Sequence, residues 1–304
     1  MRRVAASIVR RRERGLALVL VLWVITLMMV MLAAFSYALR TETRLTMHAR
    51  DSAESRAVAE AAVHYAAALL LSDPAGERVA RDGTPLEWSF AEHVVTLTIQ
   101  GENGLVSLNG ASPQALEQVL IAAGVDVGEV PRLLDVIADW RDADDLVRSL
   151  GAEAADYPAL GYPAGPKDGN FQAVQELLQV PGITPEIYRG LAPLVTVNTS
   201  MGGVDPRFVD ARVLGALSGD AAGIEAFMQA RQANPNFNPL TVLQLPFFQF
   251  TTPQSFRVVA EVAMQNGRRA YMASIQLRPG QEPPLQVMSW DENWVSDAFW
   301  GYLD

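Results

Sequence analysis

The chain has 304 residues, no cysteine, three histidines and a formal charge of −10, with half of its residues apolar. That length allows about two domains and needs no disulfide or metal staple to build a core. The lack of cysteine excludes disulfides, thiolate metal sites and thiol nucleophiles, and an acidic chain with 19% charged residues fits neither a disordered tail nor nonspecific attraction to nucleic-acid phosphates.

The charge is unevenly spread. Residues 1–15 hold Arg2, Arg3, Arg10, Arg11, Arg12 and Arg14 against Glu13, a side-chain charge of +5 that leaves −15 on residues 16–304. Leu16 to Leu39 follows as 24 residues without a charge. As a helix this run spans roughly 36 Å, enough to cross a hydrocarbon layer of about 30 Å. The arginines predict a cytoplasmic N-terminus and an exported remainder. The run is long for a signal-peptide core, and no A-x-A cleavage site follows before charges resume. Neither Gly nor Pro occurs between Leu16 and Asp73, so one helix of about 84 Å is expected over 16–71. Its second half carries Leu45, Ala49, Ala53, Ala57, Ala61 and Tyr65 at a spacing of four, predicting an amphipathic face.

His93–Gln100 alternates, with Val95, Leu97 and Ile99 on one side, as a half-buried strand does. Phe256–Gln265 and Ala270–Arg278 flank Asn266-Gly267 as a hairpin. Phe256, Val258, Ala260, Val262 and Met264 share one face of the first arm; Tyr271, Ala273, Ile275 and Leu277 share one face of the second. Leu285–Trp290 adds a further strand, and Trp290 is expected in the core. The intervening residues read as helical. The expected class is therefore α+β: a long N-terminal helix on a small antiparallel sheet, with a large α-helical domain inserted.

The insertion holds a weak repeat: Leu105–Ala111 (LVSLNGA) recurs as Leu194–Ser200 (LVTVNTS), with Arg141 and Arg231 at similar distances beyond. Asn109 and Asn198 are read as turn residues. Leu177–Thr184 (LLQVPGIT) has a helix-hairpin-helix character that in other proteins offers backbone N–H groups to phosphate. Here basic residues are sparse around Gly182, so a packing hairpin is expected and no nucleic-acid partner.

The densest acidic cluster is Asp135 to Asp145, followed by Gly151, Glu153, Asp156 and Tyr157. Asp142, Asp144 and Asp145 end an apolar helix, where negative charge opposes the helix dipole. Two readings stand: a solvated acidic loop neighboured by Arg141 and Arg148, or a hard-cation site, for which Ca²⁺ suits an irregular oxygen-rich loop. Counting from Asp142 mimics EF-hand spacing at Asp144 and Glu153, but Leu146 and Val147 stand where a ligand and a glycine are needed. His48, His64 and His93 sit in no catalytic constellation, and no nucleotide-loop or zinc-protease motif occurs, so no enzyme is expected.

A basic leader ending at Gly15, followed by an apolar helix that turns amphipathic, resembles the type IV pilin-like family, which includes the pseudopilins of type II secretion. The resemblance implies cleavage by a prepilin peptidase after Gly15, with Leu16 as the mature first residue. The family's usual glutamate at mature position five is Leu20 here. A subunit with none above it needs no such carboxylate, and its absence, with Leu22-Trp23, resembles the K-type minor pseudopilin. Asp139, Trp140, Asp142, Asp144, Gly151, Ala152 and Glu153 match that family's D-W-x-D-x-D and G-A-E-D motifs, although Ala154 replaces the last acid and Asp156 stands nearby. The resemblance implies Ca²⁺ held by Asp142, Asp144, Glu153 and Asp156. It also implies the inner membrane, a periplasmic head, and I- and J-type minor pseudopilins as partners at the tip of a pseudopilus that serves protein export. The implied parts are a leader (1–15), a long helix (16–71, membrane-spanning over 16–39), sheet regions (72–104 and 250–304) and an inserted helical domain (105–249). A minor pilin of a type IV pilus, an envelope-anchored DNA-binding protein and a membrane-tethered enzyme are the alternatives.

Overall fold

The computed structural model describes residues 13–73, 78–234, 238–264, 267–292 and 294. The chain divides into two compact units, Met1–Ser55 and Arg56–Asp304. Helix α1 (Glu13–Ser72) starts in the first and ends in the second. Within the first unit the described side chains of Leu18 to Met47 face outward, and Ala17–Tyr37 forms a 21-residue stretch long and apolar enough to cross a membrane. Gly15 and Leu16 fall within the first turn of α1.

The second unit is built on a five-stranded antiparallel sheet in the order β1-β2-β5-β6-β7. Its strands are β1 (Asp82–Phe90), β2 (His93–Gly101), β5 (Ser255–Met264), β6 (Gly267–Leu277) and β7 (Leu285–Asp291). The alternating apolar positions line up across it: Leu97 lies opposite Ala260, which lies opposite Tyr271, and Ile99 opposite Val258, which lies opposite Ala273. Register places every inward side chain on one face, and residues 56–72 of α1 cover that face.

The stripe used there differs from the one expected. Val58, Ala59, Ala62, Val63, Ala66, Ala67 and Leu70 are buried against the sheet, whereas Ala57 is exposed and Ala61 and Tyr65 sit at the margin. Alanine populates both rows, so the larger Val58, Val63 and Leu70 decide the face, since they remove more apolar area from water. Strand β1 was not expected either. It contains Pro85, which lacks a ladder donor and is tolerated because β1 is an edge strand with a register shift between Asp82 and Pro85. Trp88 on β1 stacks on Tyr65 at 4.7 Å. Trp290 packs at the edge of this core, 5.8 Å from the Tyr271 ring, and Trp294 lies over the Arg257 guanidinium. Asn266 and Trp300 lie outside the described residues.

Between β2 and β5 the chain leaves the sheet for residues 102–254. This insertion has its own apolar core and holds α2 (Pro113–Ala122), α3 (Val130–Arg141), α4 (Pro185–Leu191), α5 (Ala211–Ser218) and α6 (Ala221–Ala233). Ser112, Thr184, Asp210 and Asp220 cap helices α2, α4, α5 and α6 by accepting from backbone N–H groups. The sequence repeat becomes a structural pair. Its two copies form the short parallel strands β3 (Val106–Ser107) and β4 (Val195–Thr196), with Val106 opposite Val195 and Ser107 opposite Thr196. Each copy leads towards two packed helices, α2 with α3 and α5 with α6. Arg141 closes the first pair on the Leu108 carbonyl and Arg231 the second on the Val209 carbonyl, both at 2.6 Å. Arg257 of β5, buried to 5% exposure, donates to the Ala192, Pro193 and Val195 carbonyls and joins the insertion to the sheet.

Candidate metal centre

Helix α3 is apolar along Val130, Leu133, Val136, Ile137 and Trp140, which turn inward and fix its rotation. Asp139 lies on that inner side, with no exposure of its side chain, and Asp142, three residues on, caps the helix end. Residues 142–173 then form no helix or strand. So long an irregular segment is uncommon in a compact domain. It is nonetheless pinned: Ala152, Tyr157 and Phe171 are buried, and Phe171 stacks on Trp140 at 5.7 Å. Asn109, read as a turn residue, performs the distant anchoring by accepting from Phe171 N at 2.8 Å and donating to its carbonyl at 2.9 Å.

The loop returns to α3 through Asp139, whose Oδ2 accepts from the backbone N–H of Arg148 (3.2 Å) and of Ala152 (3.0 Å). Gly151 permits this approach, because a Cβ there would stand 1.8 Å from Asp139 Oδ2. Glu153 follows and points inward, and carboxylate oxygens of Asp139, Asp142 and Glu153 all lie within 4.8 Å of one another. Asp142 Oδ1 and both Glu153 carboxylate oxygens are buried without a hydrogen-bond partner, and Asp139 Oδ1 is met by Arg148 Nε at 3.2 Å without a hydrogen bond.

Such an arrangement is costly without a cation. Burial, then the neighbouring Asp139 and Asp142, pushes the Glu153 carboxyl up from 4.5 to about 7. Burial raises Asp139 too, against its two backbone donors. Burial and the adjacent acids also raise the Tyr157 hydroxyl. The cation at hand is Arg148, 3.2 Å from both Asp139 and Asp142, but half of its side chain is in solvent. Arg141 points away, to the Leu108 carbonyl. One guanidinium facing three carboxylates leaves the site electron-rich. Oxygen-only donors on an irregular loop match a hard divalent cation.

Of the residues expected as ligands, the structure brings Asp142 and Glu153 together. Asp144 and Asp156 are outside this group: both are exposed, Asp144 accepting from Leu146 N and Asp156 from Glu153 N, each at 3.0 Å. The third member is Asp139, which sequence reading assigned only to a motif. Its signal was the i, i+3 spacing to Asp142, which puts both on one helical face.

The hairpin at Pro181-Gly182 packs against α3, as expected of a packing hairpin. Gly182 has φ +98° and lies against Arg132 and Leu133 of α3, while Leu177, Val180 and Ile183 are buried. The nearby Arg132 and Arg189 are paired with Glu129 and Glu186.

Residues 97–200, which contain this site, match the family model described as Type II secretion system (T2SS), protein K. This stretch is thus similar to protein K of type II secretion systems. It is 28% identical over 209 residues to a putative type II secretion system protein K of Escherichia coli strain K12, covering 61% of this chain and 62% of that protein. It is 24% identical over 208 residues to type II secretion system protein K of Pectobacterium carotovorum subsp. carotovorum, covering 61% and 63%. The chain thus matches under two thirds of these relatives' length. Its fold matches a chain in the crystal structure of the GspK-GspI-GspJ complex of enterotoxigenic Escherichia coli, with TM-score 0.56 and 16% identity over 80% of this chain and 99% of that one. The likeness in fold thus extends beyond residues 97–200.

Proposed function

We propose that this chain is a minor pseudopilin of type II secretion, held in the inner membrane by α1 with its sheet and insertion in the periplasm. The observation that carries this reading is the protein K match across the insertion of a chain whose α1 holds a membrane-length apolar stretch. Cleavage by prepilin peptidase between Gly15 and Leu16 would free Leu16 as the first residue. An apolar Leu20 brings no buried carboxylate that a subunit above must neutralise, and a bulky head leaves little room for one, so the chain suits the tip. The GspK neighbour in fold was solved with GspI and GspJ, which supports I- and J-type partners here.

Asp139, Asp142 and Glu153 would hold Ca²⁺. The ion would supply the charge that one half-exposed guanidinium does not balance and would tie α3 to the loop, a structural rather than a chemical service. The test is co-expression of the full chain with I- and J-type pseudopilins, with purification through a tag on this chain. A stoichiometric ternary complex whose smallest subunits co-elute is expected. Failure to associate, with all three folded and membrane-inserted, would reject the assignment. Mass spectrometry of the same sample reads the N-terminus, expected at Leu16.

A further inference from the structure

The loop that shelters the acidic site also presents apolar side chains to solvent. Leu146 is 78% exposed, Val147 55% and Leu150 52%. Isolated exposed leucines need no explanation, but three large apolar residues within five positions on one loop mark a contact surface. The backbone beneath them is fixed. Leu146 N donates to Asp144 Oδ1 and Leu150 N to Asp135 Oδ2, each at 3.0 Å, while Arg148 N is held by Asp139. The side chains are thus displayed on a pinned frame, which lowers the ordering cost of binding.

Charge selects the occupant. Asp144 and Asp145 are exposed beside the apolar residues, and the loop's base, Arg148, half of whose side chain is in solvent, is ion-paired to Asp139 and Asp142. An anionic lipid surface is repelled by those acids, and a second copy of this chain would bring the same acids to the contact. We propose that residues 144–150 form a docking surface for a protein segment that carries apolar side chains flanked by lysine or arginine. This goes beyond the pseudopilin reading and does not depend on a bound metal.

The probe is a labelled synthetic amphipathic peptide of leucine and lysine, titrated by fluorescence anisotropy against the full chain in zwitterionic lipid nanodiscs, with empty discs as the blank. Saturable binding is expected, weakening as ionic strength rises. Leu146→Ser/Val147→Ser should weaken it about tenfold or more, since both lose their buried apolar contact. Both side chains are exposed, so unchanged thermal unfolding of the variant separates lost docking from lost folding. Equal binding by the variant overturns the proposal. Equal binding of a peptide with glutamate in place of lysine overturns the charge selection. Self-association in sedimentation, abolished by the same substitutions, would instead make this face a contact between copies.

Discussion

Glu153→Gln should stabilise the metal-free protein at neutral pH while removing most of its stabilisation by calcium. The reasoning starts from a carboxyl raised from 4.5 to about 7 by burial and by Asp139 and Asp142. A raised acid favours the unfolded chain once that chain can ionise, so its penalty is absent below pH 4.5, builds up between 4.5 and about 7, and levels off above. At neutral pH that displacement corresponds to at most roughly 2–3 kcal/mol, shared among the three carboxylates. Glutamine keeps the shape and removes the charge, so it recovers much of this. For a unit of this size the gain amounts to a rise in Tm of up to roughly 10 °C. The assay is thermal unfolding of the full chain in detergent with excess chelator, followed through the buried Trp140 beside the site, across pH 4.5 to 7 and above. Wild type should lose stability along that rise, with the variant flatter and the two converging at the acid end. Excess calcium should raise the wild-type Tm, because the ion binds the folded state, and barely move the variant. A variant less stable than wild type in chelator at neutral pH would refute the electrostatic account, as would a flat wild-type profile.

Three further outcomes follow from packing. Gly151→Ala should cost at least 1–3 kcal/mol, about the cost of overpacking a core, because its Cβ would meet Asp139 Oδ2 at 1.8 Å; calcium titration should show weakened binding as well. Leu97→Ala removes a fully buried side chain between the sheet and residues 56–72 of α1 and should cost about 2–5 kcal/mol in denaturant unfolding, with calcium affinity intact. Asn109→Ala leaves Phe171 N and its carbonyl without their amide partner, at about 1–3 kcal/mol, and hydrogen exchange should rise selectively across residues 142–173.

The sequence alone determined those features that rest on local pattern. An uncharged run from Leu16 to Leu39 beside six arginines defines a membrane-length helix, because transfer free energy depends on composition and length rather than on neighbours. Alternation in β2, β5 and β6 defined which side chains face inward, since the pleat has a period of two. The acidic cluster at the end of α3 was legible too, and the fold brings its Asp142 and Glu153 together.

What remained was decided by which surfaces meet. Alanine on both sides of α1 left its packing face ambiguous until Val58, Val63 and Leu70 met the sheet. Pro85 concealed β1, which exists because an edge position tolerates a missing donor. The repeat's two copies proved to be each other's strand partner across 89 residues, a pairing that no local signal encodes. The site's third acid, Asp139, joined Asp142 and Glu153 in place of Asp144 and Asp156 because Gly151 lets the loop close onto the helix. Spacing along the chain ranks acids by proximity in sequence, whereas burial against α3 selects those whose charge water cannot screen, and only the folded chain determines which acids those are.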